Sequence, residues 1–421
     1  RSECRQWVDD GDISAEQGER ILARYGTSLE DVSDGSLAYK VLVGVALLFA
    51  GMAMMLLVSA NWEEIPRAVR MLGLVATTLV LNGIGVRHFL RDGSGIGWLF
   101  VGSISYGASI MLIAQIYHLG EHFPDGLLVW ALGVAPMALL TRSRVIALLM
   151  LALALFWLMA EGQFSPPWAM VLFLGCSVAV ARMACSAGLM IVTVAAAVSW
   201  LNVLLGWAYG YPWRPDIEAG HLTLNMGLLA LIFMAGHRLS ATTSVYLRRT
   251  ATLLSLWALR GYLLLLLPFT FTEFCEGYLK ELETVMDPGL WMGLLAAIPA
   301  AWLALRNRSA HPLSRGLVMG LPLVMVLLHG GISESMAVPV TVLVNLLVLG
   351  SAIVLVQQGL LKGLSQYFYS GVALLLVLGM MRYVDLVGDY VGGSVLFLLA
   401  AGILFLAAHY WRDRQGGAGH E

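Results

Sequence analysis

The densest group of polar side chains in this 421-residue sequence lies between residues 114 and 125. His118, Glu121 and His122 spell H-x-x-E-H, a pattern in which two histidines bind zinc and the glutamate acts as a base. That chemistry requires a continuous helix, and Gly120 interrupts the stretch. A helix end with interfacial hydrogen bonds fits the same residues. We therefore predict no metal and no cofactor here.

A second group of charged residues consists of Arg382, Asp385 and Asp389. Their spacing of three and four residues puts the side chains roughly on one face of a helix. Two interpretations stay open. The arginine and an aspartate form an ion pair at a membrane interface, or the group binds an anion or belongs to a proton relay.

Arg260 lies about halfway through the apolar segment 250–272. An arginine in the hydrocarbon region costs roughly 3 kcal/mol or more, so its side chain must face the bundle interior, a carboxylate or a water-filled cavity. No acidic residue is predicted at the same depth. Backbone carbonyls, an outer glutamate reached through water and a bound anion all remain as partners. Alternatively, the helix begins later and Arg260 lies near the inner interface.

The elements that position these residues are membrane helices. Hydrophobic residues make up 59% of the chain and charged residues 12%, whereas charged residues are roughly a quarter of a soluble domain. The apolar residues form blocks, many close to the ~20 residues of a membrane-crossing helix. We predict an all-α polytopic bundle of about 14 transmembrane helices. The fourteen segments are 39–60, 68–86, 95–116, 124–140, 145–160, 167–181, 187–208, 221–236, 250–272, 289–305, 316–330, 337–356, 367–388 and 393–410.

The distribution of charge predicts the orientation of these helices. With the N-terminus in the cytoplasm, the inner loops and tail hold fourteen Lys and Arg residues and the outer side four. This bias favours an even number of spans with both termini in the cytoplasm. Fifteen of the eighteen acidic residues after the N-terminal unit fall on the outer face. They either fill positions from which Lys and Arg are excluded or form an acidic vestibule. A net charge of −2 gives no reason to expect nucleic acid.

Three regions follow from these patterns. We predict that residues 1–38 form a small cytoplasmic helical unit with a linker, that residues 39–410 form a transmembrane domain, and that residues 411–421 form a cytoplasmic tail. Within the first region, Ser14 to Gln17 have the spacing of a capping box at a helix start.

Two motifs resemble the DUF2157 family of predicted integral membrane proteins. The first runs from Trp7 through Gly11-Asp12-Ile13-Ser14 to Tyr25. The second is Ala114-Gln115-Ile116-Tyr117-His118, followed by Gly126-Leu127 and Trp130. The tail from Tyr367 to Arg412 is similar to the ending of this family and of the related DUF4401 group.

The resemblance implies a polytopic protein of the bacterial cytoplasmic (inner) membrane and singles out Gln115, Tyr117 and His118. It also implies a partner, a small membrane-anchored envelope protein of the GDYXXLXY group. The family has no known function, so no reaction follows from it. The candidate binding residues are therefore Gln115, Tyr117, His118, Glu121, Arg260, Arg382, Asp385 and Asp389.

Three functions fit this sequence. The first is a transporter or flippase-like protein for a small solute or an envelope lipid precursor. The second is a membrane-embedded enzyme that acts on lipid or glycan at the outer face through His118, Arg382 and Asp385. The third is a scaffold or sensor for an envelope partner protein. The sequence has no Walker loop, G-x-S-x-G, dinucleotide fingerprint or haem motif, which disfavours an ATP-driven pump.

Overall fold

The structure is a computed structural model. It describes residues 7–8, 11–23, 42, 45, 49, 65–118, 122–210, 218–282, 286–308, 310–330, 334–386, 395 and 397–405. Every regular element in these residues is helical, which confirms the all-α class. Glu121 and Asp389 lie outside the described residues, as does the side chain of Asp385. The α-helices are α1 (Ala15–Ala23), α2 (Arg67–Asp92), α3 (Ile96–Tyr117), α4 (Phe123–Thr141), α5 (Arg144–Glu161), α6 (Met170–Met183), α7 (Ala187–Ala208), α8 (Ala219–Leu239), α9 (Val245–Leu266), α10 (Thr272–Glu281), α11 (Pro288–Arg306), α12 (Pro312–His329), α13 (Ala337–Lys362) and α14 (Ser365–Leu386).

Contacts divide the chain into two compact units, Arg1–Leu74 and Val75–Glu421. In the first unit, α1 begins with the predicted capping box. The Gln17 amide donates to Ser14 Oγ at 3.2 Å, and the Ser14 amide donates to Gln17 Oε1 at 2.8 Å. The two side chains thereby satisfy backbone donors that a helix start leaves without partners.

Ten of the described helices are long and apolar enough to cross a membrane, namely α2–α5, α7–α9 and α11–α13. The apolar helix α6 has only 14 residues. The predicted segments 39–60 and 393–410 fall wholly or partly outside the described residues. The finding supports a membrane protein with several apolar helices, and the count of about fourteen spans stays a prediction.

Short polar signals set the helix boundaries. Ser143, Ser186 and Ser244 precede α5, α7 and α9, and each side chain accepts a hydrogen bond from a backbone amide three residues later. These side chains replace the missing backbone partners of the first turn. The helix α13 ends at Gly363, whose φ of 65° lies in the left-handed region that glycine adopts without strain.

The second unit contains two large clusters of buried apolar side chains. The first core is built by α3–α7 and includes residues from Leu99 to Val203. The second core is built by α8–α14 and includes residues from Ala219 to Leu378. Contacts of α7 with α8, α9 and α11 join the two.

The helix α10 was not predicted, because it lies in the polar stretch between the segments 250–272 and 289–305. Its residues Cys275, Tyr278 and Leu279 are buried in the second core, whereas Glu273 and Lys280 are exposed. A short amphipathic helix of this kind covers the end of a bundle and has too few apolar residues to be read as a span.

Candidate functional site

The second core surrounds a cavity of about 380 Å³ between α8, α9, α10, α12 and α13. This volume falls within the range of roughly 300–1,000 Å³ that is typical of small-molecule sites. Most of the lining side chains are aliphatic or aromatic. Along α13 the lining extends from Val340 to Gln358, which is eighteen residues further along, and this rise in an α-helix measures about 27 Å. The cavity is therefore long, narrow and apolar.

Both histidines and the glutamine of the lining lie toward one end of the cavity, whereas Cys275 and Tyr278 on α10 lie toward the other. His237 lies in the last turn of α8, His311 directly precedes α12, Gln358 is in the last turns of α13 and Tyr367 is in the first turn of α14. Neighbouring helices joined by short loops run antiparallel, so these positions lie toward one end of the bundle. The long apolar part of the cavity extends away from this polar end.

The cavity is open to the surface between α12 and α13. Four of its lining residues are exposed: Val324 and Leu327 on α12 and Leu343 on α13, at 48%, 50% and 56%, and Leu364 between α13 and α14, at 43%. The helices that flank this opening meet the criteria for membrane spans. The exposed rim is apolar, so an apolar chain can pass between it and the hydrocarbon of a bilayer without losing its apolar surroundings.

Arg260 lies beside the polar end of the cavity. Its Nε donates to Ser370 Oγ in the second turn of α14 at 3.1 Å, and its Cζ lies 5.3 Å from the centre of the Trp257 ring. Tyr367, one turn before Ser370 on α14, lines the cavity. A hydroxyl on another helix is a partner that our sequence interpretation did not include.

Ionisable side chains are buried at the opposite end of the second core. Asp287 directly precedes α11 and His329 is the last residue of α12; both are 3% exposed. Asp287 Oδ1 accepts hydrogen bonds from the Tyr209 hydroxyl at 2.6 Å and from the Gly289 amide at 2.5 Å. Asp287 Oδ2 lies 3.6 Å from His329 Nε2.

Two glycines make this arrangement possible. A Cβ on Gly220 would overlap the Tyr209 hydroxyl, and a Cβ on Gly289 would meet both that hydroxyl and the Gly220 backbone. The close approach of α8 and α11 at these glycines lets Tyr209 reach the carboxylate.

The contacts of Asp287 favour its ionised form. Burial alone would raise the pKa of this carboxyl, but the His329 ring, the Tyr209 hydroxyl and the Gly289 amide together hold the pKa below its ordinary value of 3.8. Burial and the hydrogen bond to Asp287 raise the pKa of Tyr209, so the phenol keeps its proton and acts as the donor.

The predicted residues near the end of α3 do not converge on the second core. The helix ends at Tyr117, and His118 has a φ of 52° in the left-handed region, so the helix does not continue through H-x-x-E-H. Gln115, Tyr117 and His118 are exposed, and α3 packs on α4 and α5.

His122 contacts a carboxylate that sequence spacing does not reveal. Its Nε2 lies 2.8 Å from Glu161 Oε2 at the end of α5, and its ring packs edge-on against Phe164. The Ser165 hydroxyl donates to the other Glu161 oxygen. One potential ligand atom each of His122, Asp125 and Glu161 lies within 4.8 Å of the others, so these three side chains are able to hold a metal ion.

Arg382 lies on α14 and contacts the turn that follows α9. Its Nη2 donates to Thr270 Oγ1 at 3.4 Å, and its Cζ lies 4.5 Å from the centre of the Phe271 ring. The helix α14 packs on α13, whereas the helix that carries His118 packs on α4 and α5. The elements of the predicted outer-face site thus have different neighbours.

The sequence interpretation missed the group formed by Tyr209, Asp287 and His329. Asp287 was counted only among the outer acids, although Asp-Pro-Gly is a helix-start signal. His329 has no comparable signal in the sequence around it. Nothing in the spacing links the two, because 42 residues separate them.

The comparisons with known proteins concern the first part of the chain. Residues 5–147 match the model of a family described as predicted membrane protein (DUF2157). This match confirms the resemblance to DUF2157, and it includes both motifs on which the resemblance rests. The matched range ends at the start of α5, so the cavity and the Asp287 group lie outside it. No curated protein and no solved structure matches the chain.

Proposed function

We propose that this protein is a transporter or flippase-like carrier that binds a lipid-like amphiphile in the cavity of the second core. The observation that carries the proposal is the long apolar cavity with exposed apolar residues between α12 and α13. A ligand that resides in the bilayer enters such a cavity sideways and keeps its chain out of water. A small polar solute would find few polar partners along most of this lining.

The polar end of the cavity indicates the chemistry of the head group. His237, His311 and Gln358 line this end together with Tyr367, and Arg260 donates to Ser370, one turn beyond Tyr367 on α14. Arginine and protonated histidine bind phosphate and carboxylate groups through charge-assisted hydrogen bonds. We infer that the ligand has one polar, anionic head and at least one apolar chain.

The topology belongs to the same proposal. We propose fourteen spans in a bacterial cytoplasmic membrane, with residues 1–38 and the C-terminal tail in the cytoplasm. The uneven distribution of Lys and Arg supports this orientation. The polar end of the cavity then faces the cytoplasm, and Asp287 lies toward the outer side. Cysteines introduced singly into loops and labelled from outside intact cells test the assignment.

Binding is tested by filling the cavity. Leu347 lines it, so Leu347→Trp places a large ring within its volume, whereas Leu346 on the same helix is 61% exposed and lies outside the lining. The proteins are purified from membranes in mild detergent, and bound lipid is measured by native mass spectrometry. We expect wild type and Leu346→Trp to retain lipid, and Leu347→Trp to retain roughly tenfold less, equivalent to about 1.4 kcal/mol of binding free energy.

Transport is tested in vesicles of phosphatidylethanolamine and phosphatidylglycerol. The probe is phosphatidylglycerol with a fluorescent group on its acyl chain, and dithionite reports the fraction in the outer leaflet. We expect wild type to accelerate exchange between leaflets and Leu347→Trp to lose this activity. Equal lipid retention by the two tryptophan variants, or no exchange above protein-free vesicles, would contradict the proposal.

A further inference from the structure

The hydrogen bond of His329 determines which of its ring nitrogens carries a proton. Nδ1 lies 3.0 Å from the backbone oxygen of Met325, one turn earlier in α12. A carbonyl oxygen only accepts hydrogen bonds, so Nδ1 must be the protonated nitrogen. In a neutral His329 ring, Nε2 would then carry a lone pair and no proton.

The second ring nitrogen faces an acid. His329 Nε2 is buried, has no hydrogen-bond partner within 3.5 Å among the described residues, and lies 3.6 Å from Asp287 Oδ2. Without a further proton, a nitrogen lone pair would face a carboxylate oxygen in a region with little access to water. Such an arrangement is costly, because like partial charges repel more strongly where the dielectric constant is low.

We propose that Asp287 and His329 form a buried proton-binding site, which holds one proton on His329 Nε2 while the carboxylate stays ionised. The two hydrogen bonds to Asp287 Oδ1 stabilise the anion and thereby favour this position of the proton. The proton comes from water and returns to water, so no other reactant is required. This inference does not depend on the ligand of the cavity.

Titratable groups on the neighbouring elements fit this assignment. Tyr209 donates to Asp287, and burial raises the pKa of Tyr278 on α10 to about 12, so both phenols are neutral. His221, at the start of α8, donates from Nε2 to the Asn202 backbone oxygen at 3.2 Å. Its Nε2 is therefore protonated, whereas in His329 the nitrogen that donates to a backbone oxygen is Nδ1. Among the residues that the structure describes, Glu218 is the other acid near Tyr209 and His221.

The proton on His329 lies at the end of α12, a helix that lines the cavity. His329 ends α12, and the preceding residues Leu327 and Leu328 line the cavity. Asp287 begins α11. If α12 moves away from α11, the imidazolium loses its carboxylate and the proton is released. Proton release is therefore linked to the separation of these two helices.

The proton is observable in the wild-type protein. Histidines labelled with ¹⁵N in the ring are examined by solid-state NMR, with the full chain in bilayers at pH 8. Unpaired histidines have a pKa near 6.5 and are neutral at this pH. We expect a signal from an imidazolium with both nitrogens protonated. If no histidine is doubly protonated at pH 8, the proposal is wrong.

Variants assign the signal. His329→Gln should remove the imidazolium signal, and His221→Gln should leave it unchanged as the matched control. Asp287→Asn should convert it into a singly protonated histidine. Persistence of the signal in folded His329→Gln or Asp287→Asn protein would overturn the assignment. His122 is the other described histidine that pairs with a carboxylate, so where a variant does not fold, the signal at pH 8 in His122→Gln protein decides. This readout is independent of lipid binding, so it separates failure of the proton site from failure of the proposed carrier.

Discussion

In the first core, aromatic side chains pack directly against glycines. The Trp130 ring occupies the space where Gly107 has no side chain, and its Nε1 donates to the Ser103 oxygen at 2.8 Å. The second core instead encloses a cavity of about 380 Å³ and buries Asp287 and His329. Residues of α4 and α5 border an open groove at the surface of the first core, whereas the cavity of the second core lies among its helices.

The buried polar groups of the two cores differ in charge. In the first core, Ser177 and Thr193 share a neutral hydrogen bond at 2.6 Å between α6 and α7. In the second core, Arg260 and the Asp287–His329 pair bring charge between helices. Charged residues in a membrane domain are expensive and usually functional. This difference supports the proposal that the second core, rather than the first, carries the activity.

Of the substitutions that test the difference between the two cores, Asp287→Ala in the second core is expected to cause the largest loss of stability. The substitution leaves Tyr209, the Gly289 amide and His329 without their acceptor, so we expect the free energy of unfolding to fall by about 3 kcal/mol or more at neutral pH. Chemical unfolding in mixed micelles measures it. Asp125→Ala, at an exposed acid beginning α4, is the control and should cost less than about 1 kcal/mol. Equal losses would show that the second core does not depend on its buried acid.

The same variant has a predicted pH dependence. Folding lowers the pKa of Asp287 below its ordinary value of 3.8. A carboxyl with a depressed pKa stabilises the folded protein above its unfolded pKa and loses this contribution as the pH falls through the folded pKa. The stability advantage of wild type over Asp287→Ala should therefore be largest at about pH 5–6 and shrink below pH 4.

A smaller effect is expected from Gly107→Ala in the first core. The added methyl group would overlap the Trp130 ring, and overpacking of this kind costs about 1–3 kcal/mol. Gly97→Ala, on the same helix, places a methyl group in open space and should leave stability unchanged or slightly raised. Thermal unfolding in detergent compares the two. If Gly107→Ala is as stable as Gly97→Ala, the tight packing of the first core is not required.

Ser370→Ala should lower the free energy of unfolding by less than Gly107→Ala does. It removes the hydroxyl that accepts from Arg260 Nε at 3.1 Å, and a hydrogen bond to a charged group contributes about 1.5–3 kcal/mol. Because Arg260 is only partly buried, we expect about 1 kcal/mol. Ser199→Ala is the control, since its exposed hydroxyl bonds to its own helix at the Ala195 oxygen. Equal stability of the two variants would indicate that Arg260 does not need Ser370.

The helices could be predicted from the sequence because they depend on local signals. The segment 187–208 coincides with α7, where a Ser186 cap precedes a long apolar block. The candidate site depends on contacts between distant residues. Arg260 was recognisable as an anomaly, but Ser370 is 110 residues away. Predicting the pairing of Asp287 with His329 also requires knowledge of which helices meet. A cavity results from the packing of many side chains and cannot be predicted from residue types alone.

The smallest effect is expected at the edge of the first core, from Glu161→Gln. His122 and Glu161 form a pair at 2.8 Å, with side-chain exposures of 33% and 12%. Exposed and partly exposed pairs contribute about 0–1 kcal/mol because water screens them, and glutamine keeps an oxygen for the Ser165 hydroxyl. We therefore expect a loss below about 1 kcal/mol in the same unfolding measurement. A loss as large as that of Asp287→Ala would mean that the first core also depends on an ion pair, and the contrast between the two cores would fail.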